Sequence, residues 1–449
     1  MATPANPMTM LRSRSYLTLL VLAAILGVPV SAVAYGFLAL VSYLQKELFT
    51  RLPHNLGFQA EPVWWPLPML AVGGALAALA IRYLPGRGGP SPAGGFKMHG
   101  PPGPEQLPGV ILAALATLIF GAVLGPEMPL ILIGGGLAAL AVRLARRDVP
   151  DRTRAVVASA GSFAAISTLL GSPLVGAFLL MEASGLGGQM LGLVLLPGLL
   201  ASGVGSLIFI GLDAWTGLGT FSLAIPGVPT FTRPDLAEFG WALVIGVAAA
   251  LVGSAIHWGG RLLHGYADRR VLLITPLAGL AVAGLAIGYA EGTGKPSSDV
   301  LFSGQAALPP LVQHATTYSV GALLLLLACK GLAYSVSLGS FRGGPTFPAL
   351  LLGAAGGIAM SHLPGLPMVA GAAMGIGAMS AVVLTLPLTS VLLPVVLLPS
   401  DGLALTPLVI VAVIVAYVTT ARLTPGDATP SASPVQPAAK PDAADAAAA

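Results

Sequence analysis

Residues 125–135 read Gly-Pro-Glu-Met-Pro-Leu-Ile-Leu-Ile-Gly-Gly, and residues 344–354 read Gly-Pro-Thr-Phe-Pro-Ala-Leu-Leu-Leu-Gly-Ala. Both are Gly-Pro-x-x-Pro followed by an apolar turn and a small residue. Downstream, Ser172-Pro173-Leu174-Val175 has a counterpart in Leu386-Pro387-Leu388-Thr389. The second motif trails the first by 44 residues in one half (Pro129 to Pro173) and by 39 in the other (Pro348 to Pro387). The competing explanation is abundance: among 58 glycines and 39 prolines, short matches arise by chance. Two motifs in the same order at similar spacing favour a chain built from two related halves.

Gly-Pro ahead of an apolar run is a helix start. Proline suits the first helical position because its missing N–H would have been unpaired there anyway. The free N–H groups that remain, with the helix dipole, attract an anion. Two such starts, one per half, fit an inverted-repeat transporter whose broken helices converge near the membrane midplane.

The composition requires that membrane. The 449 residues are 55% hydrophobic and 8% charged, with a net charge of +4, and the mean hydropathy is +0.88. A soluble domain carries roughly 25% charge. The spans must be helices or a closed barrel, and the long unbroken apolar runs lack the alternation of barrel strands. The fold class expected is therefore all-α integral membrane, with broken and re-entrant helices. Basic residues near the ends of apolar runs, such as Arg12, Arg14, Arg143, Arg269 and Arg270, suit anionic headgroups. No basic patch interleaved with aromatic residues points to nucleic acid. The one cysteine, Cys329, cannot form an intrachain disulfide or a cysteine metal site. The histidines (His54, His99, His257, His264, His314, His362) show no metal-ligand spacing and read as loop or interface residues. Neither a phosphate loop nor a nucleophile elbow nor an acid pair is present, so the expectation is a protein that is not an enzyme and needs no cofactor.

The runs divide the chain into an N-terminal segment (1–14), a first membrane repeat (15–212), an inter-repeat loop (213–232), a second repeat (233–423) and a disordered tail (424–449). The first run, Ser15 to Tyr43, follows a basic start that mimics a signal peptide, but it is long enough to be retained as a tilted helix. Ala155 to Met181 reads as one run, as do Leu186 to Leu212 and Leu311 to Cys329. Gly343 to Ser400 contains no Asp, Glu, Lys or Arg.

At these motifs the chain resembles the CLC family of chloride channels and chloride/proton antiporters. The stretch 121–136, GAVLGPEMPLILIGGG, is similar to that family's G-R/K-E-G-P segment, whose glutamate is the external gate. Residues 162–184, SFAAISTLLGSPLVGAFLLMEAS, and 339–357, GSFRGGPTFPALLLGAAGG, resemble two further segments, the second of them anion-binding. Residues 84–95, LPGRGGPSPAGG, take the place of the family's first Gly-rich anion loop. The resemblance implies a homodimer with one pore per subunit, a small anion such as chloride as cargo, and a multi-pass location in the plasma membrane. It implies a gate at Glu127 and anion contacts from Gly86, Arg87, Gly88, Gly125, Met128, Gly344, Thr346 and Phe347.

The chain departs from the pattern. Pro126 stands in place of a basic residue, Met128 of a glycine, and Arg87 of a serine. Arg87 either adds a cation beside the anion path or points away from it. Pro345 removes one backbone donor. The position of the family's second, inward-facing glutamate falls on Ala183, next to Glu182. That favours a passive channel over an antiporter, with a non-conducting scaffold or regulatory protein as a further alternative. Tyr417 is the nearest match to the family's late pore tyrosine, and the match is poor.

Glu127 carries the reading, because an intramembrane charge costs at least ~2.5 kcal/mol and so usually has a use. The bland alternative is an acid that satisfies its own first helical turn. Glu182 is either a helix cap or a step in a proton path. Lys330, in an apolar context, is expected to snorkel to the interface.

Overall fold

The computed structural model describes residues 11–97, 100–145, 151–185, 188–231, 233–399 and 402–424. His99 and the tail from Pro425 lie outside the described residues.

Among the described residues, each half supplies seven helices of eleven residues or more. The first half holds α1 (Arg14–Lys46), α2 (Pro66–Tyr83), α3 (Leu107–Leu118), α4 (Glu127–Ala145), α5 (Asp151–Ala165), α6 (Pro173–Ala183) and α7 (Gly188–Thr216). The second holds α8 (Leu236–Ala267), α9 (Val271–Thr293), α10 (Val320–Ser340), α11 (Thr346–Met360), α12 (Met368–Leu384), α13 (Pro387–Leu397) and α14 (Gly402–Leu423). The two packing patterns match. The pairs α4–α5, α1–α7, α1–α5, α5–α7 and α6–α7 recur as α11–α12, α8–α14, α8–α12, α12–α14 and α13–α14. In addition α2 packs on its counterpart α9, and α6 on α13, as elements beside a two-fold axis must. The fold is an all-helical inverted repeat.

Among the described residues, eight helices are long and apolar enough to cross a membrane. Their outward faces carry exposed apolar side chains, including Leu17, Val21 and Ile25 on α1 and Leu243, Val247 and Leu251 on α8. That is the arrangement expected where lipid is the solvent.

Three sequence readings change. The run Ala155 to Met181 is broken: Gly171 turns at φ 85°, Ser172 caps α6 by accepting the Leu174 N–H at 3.2 Å, and Pro173 opens the helix. The charge-free run from Gly343 becomes α11, α12 and α13. The run expected from Leu311 to Cys329 is split: its first residues end a short helix, Leu308–Gln313, and the long helix starts at Val320 behind a Ser319 cap and continues to Ser340. In each case a capping hydroxyl or a proline overrides unbroken hydropathy.

Glycines let the halves close up internally. A Cβ on Gly357 of α11 would run into the Gly371 carbonyl of α12, and one on Gly353 into that of Gly375. In the first half Gly134 of α4 and Gly161 of α5 meet in the same way. Small residues four apart are how membrane helices approach without a hydrophobic drive between them. Replacing Gly357 by alanine should destabilise the protein by about 1–3 kcal/mol through overpacking, measured as a fall in thermal unfolding temperature in detergent. Alanine at Gly356, whose nearest neighbour would be Leu327 at 3.9 Å, should be close to neutral.

Candidate functional site

Two non-helical segments meet at the centre, 119–126 between α3 and α4 and 341–345 between α10 and α11. The Gly125 N–H donates to the Gly344 carbonyl at 2.7 Å, and the Gly344 N–H returns to the Gly125 carbonyl at 2.7 Å. This is an isolated antiparallel bridge between equivalent positions of the repeated motif. From it α4 starts at Glu127 and α11 at Thr346, both fully buried.

The Glu127 carboxylate crosses from one half to the other. Its Oε1 accepts the Thr346 N–H at 2.5 Å, at the start of α11. The acid therefore sits where the free N–H groups and dipole of α11 would hold an anion. Its Oε2 is buried with no protein partner, and so is the Thr346 hydroxyl oxygen. Gly125 and Gly344 make the room: a Cβ on either would collide with this carboxylate, and one on Gly125 would also meet the Phe347 ring. Phe347 and Met128 close the surroundings, both buried. Glu127, Gly125, Met128, Gly344, Thr346 and Phe347 are thus brought together.

The Gly-rich loop follows α2. Gly86, Arg87, Gly88 and Gly89 all have positive φ, 77°, 49°, 73° and 92°. Three of the four are glycine, which meets no Cβ penalty there. The loop lines a cavity of about 650 Å³ with Ser91, Lys97 and Gln106 on its wall, and Leu132, five residues beyond Glu127, also lines it. The Arg87 guanidinium does not join Glu127. It is exposed and pairs with Asp268 at 2.9 Å, at the end of α8, so the expected anion ligand is largely neutralised by a partner remote in sequence.

Lys330 differs from its sequence reading, and Glu182 takes the cap reading, one of the two left open for it. Lys330 does not snorkel: it is fully buried in α10 and its Nζ donates to the carbonyls of Asp299, Val300 and Leu301. His257 lies inside α8 rather than in a loop, with Nε2 buried and unpartnered. Glu182 caps α13, accepting the Leu388 N–H at 2.9 Å and the Thr389 N–H and hydroxyl at 2.8 and 2.7 Å. Tyr417 stands on the outer part of α14, 37% exposed. The tyrosine beside the site is Tyr334, fully buried, which donates to the Pro345 carbonyl at 2.8 Å.

Arg342 was not visible as a site residue in the sequence. It is 7% exposed. It donates from Nε to the Arg87 carbonyl at 3.3 Å and from Nη1 to the Phe341 carbonyl at 3.1 Å, and its own N–H goes to the Thr117 hydroxyl at 3.3 Å. Its stem lies against Gly88, where an added Cβ would meet Arg342 Cγ at 3.2 Å. A buried guanidinium thus ties the Gly-rich loop to the segment that carries Gly344. The only signal in the sequence is an arginine inside an apolar, glycine-rich motif.

The profile of the family described as voltage gated chloride channel matches residues 73–421. The chain belongs to this family, the CLC anion transporters. Among its relatives are proteins of Salmonella choleraesuis and Salmonella typhimurium named for ion transport, YfeO. They are 32% and 31% identical over 368 residues, each match covering 79% of this chain and 84% of the relative. The fold is shared with a slow cyanobacterial Cl⁻/H⁺ antiporter, at a TM-score of 0.72 and 19% identity over 90% of this chain and 94% of that one. It is shared also with a CLC-type fluoride/proton antiporter, at 0.63 and 18% over 91% and 97%.

The two arginines should separate cleanly in thermal unfolding. Arg87→Ala removes an exposed pair and should cost under ~1 kcal/mol. Arg342→Met leaves buried carbonyls without donors and should cost about 1–3 kcal/mol.

Proposed function

We propose that the protein passes a small anion, chloride in the first instance, passively across the plasma membrane through a CLC-type pore gated by Glu127, as a dimer with one pore in each copy. The carrying observation is the carboxylate at the start of α11, where Oε1 takes the Thr346 N–H. An ionised Glu127 occupies the seat that an anion needs and competes with it. Protonation weakens that seat, because a neutral carboxyl gains less from an N–H dipole than a carboxylate does. Gly125, Met128, Gly344, Thr346 and Phe347 then surround the vacated position.

The passive reading draws support from Glu182 and Ala183. The Glu182 carboxylate is engaged by three donors at the start of α13 and serves there as a helix cap. Ala183 has no acid to offer. A chloride/proton antiporter is the second reading, favoured by the unpartnered buried Oε2 of Glu127, an oxygen able to carry a proton through a dry site.

Anion efflux from liposomes loaded with chloride, with external pH recorded, separates the two. Chloride efflux without proton movement is the expected result. Proton movement in fixed ratio to chloride replaces the channel with the antiporter, and no efflux of any halide or nitrate rejects both in favour of a non-conducting scaffold. In a conducting protein the flux should rise as pH falls, and Glu127→Gln should make it flat with pH. An unaltered pH profile in that variant removes Glu127 from the gate.

A further inference from the structure

Three polar side chains of α10 share one stripe. Lys330, Tyr334 and Ser337 are spaced i, i+4 and i+7, within an arc of about 60° at ~100° per residue. All three are fully buried. Each bonds a backbone group of an irregular segment.

Lys330 Nζ donates to the carbonyls of Asp299, Val300 and Leu301 at 3.0, 2.9 and 3.1 Å, with that of Phe302 at 3.4 Å. The segment it grips is then joined to the gate: the Phe302 N–H donates to the Gly121 carbonyl at 3.0 Å. Tyr334 donates to the Pro345 carbonyl at 2.8 Å. Ser337 accepts the Val123 N–H at 3.1 Å. The stripe therefore ends on Gly121 and Val123, just before Glu127, and on Pro345, just before Thr346. These are the two segments that the bridge between Gly125 and Gly344 joins.

The chemistry at Lys330 suits an anchor. An ammonium has three donors and meets three carbonyls in a water-free place, where such charge-assisted bonds are about twice as strong as neutral ones. Phe302 is held at φ 58°, a left-handed conformation that a residue with a side chain keeps only where its surroundings enforce it. The lysine stem is confined as well, since a Cβ on Gly304 would meet Lys330 Cε at 3.3 Å and Leu351 of α11 at 3.1 Å. Charge is balanced locally. The Asp299 carboxylate accepts the Tyr289 and Tyr318 hydroxyls at 3.2 and 3.1 Å, and the Lys295 ammonium lies 3.7 Å from the Tyr318 ring centroid.

We propose that this stripe, anchored by Lys330, is a positioning device that fixes the depth at which Glu127 meets the Thr346 N–H and so sets how readily the carboxylate leaves. Lys330, Tyr334 and Ser337 are positioning residues that act through the backbone groups they bond. The proposal rests on the gate reading for its functional half, and its structural half stands without it.

The test uses the full-length protein with Lys330→Met, Tyr334→Phe and Ser337→Ala. Hydrogen–deuterium exchange in detergent reads the segment directly, and the pH profile of chloride efflux from liposomes reads the gate. Lys330→Met should speed exchange of the Val123, Gly125 and Phe302 amides by about tenfold or more while distant helices are unchanged. The pH at which efflux is half-maximal should shift, with Lys330→Arg restoring part of both. Tyr334→Phe and Ser337→Ala each remove one oxygen, and should produce smaller changes of the same kind if the methionine variant fails to fold. Unchanged exchange at these amides across the folded variants overturns the proposal. Faster exchange with an unmoved pH profile overturns its functional half. A wild-type protein with no efflux sinks the gate reading instead, and exchange alone then decides whether the stripe holds the segment.

Discussion

The two backbone hydrogen bonds between Gly125 and Gly344 are the constraint on which the site depends. They join equivalent points of the two halves, so they set where both helix starts lie relative to each other. Neither residue can be anything but glycine without striking the Glu127 carboxylate. A buried backbone pair of this kind cannot be traded for water in a bilayer, where an unsatisfied polar group costs several kcal/mol. The scaffold is symmetric up to this point and then breaks symmetry in one residue: the first half supplies Glu127 and the second supplies the N–H of Thr346. An acid on one side and a hydroxyl on the other make a seat that is occupied from within.

What was legible in the sequence follows from what is local. Hydropathy located the apolar segments, and the repeated Gly-Pro-x-x-Pro located both helix starts, because each signal lies within a few neighbouring residues. Glu127 stood out as a charge in an apolar run. Arg87 was left with two readings, beside the anion path or pointing away from it, because its partner, Asp268, is 181 residues away. Lys330 was misread because its partners are carbonyl oxygens about 30 residues back. Backbone acceptors carry no letter in a sequence, so a lysine with a carbonyl cradle and one without look identical. The same blindness hid Arg342 and Tyr334, both of which bond main-chain oxygens.

These polar residues share a logic. Arg342 ties the Gly-rich loop to the segment before α11, Glu182 joins the end of α6 to the start of α13, and Lys330 ties a loop to α10. Each fastens an irregular stretch that a membrane would otherwise punish. Broken helices are tolerated here because side chains from neighbouring helices satisfy the ends that the breaks expose.

The shortness of α11 has an electrical consequence. Its 15 residues span about 22 Å at ~1.5 Å per residue, less than the ~30 Å hydrocarbon core. The helix is thus too short to cross that core alone, and a cavity of about 650 Å³ cuts into the protein near α4. Where water reaches inward, a transmembrane voltage falls over the shorter dry stretch that remains. A charge crossing the full potential exchanges ~2.3 kcal/mol per 100 mV. Glu127 is buried within that field, and any movement of its carboxylate along the membrane normal would exchange a part of that energy.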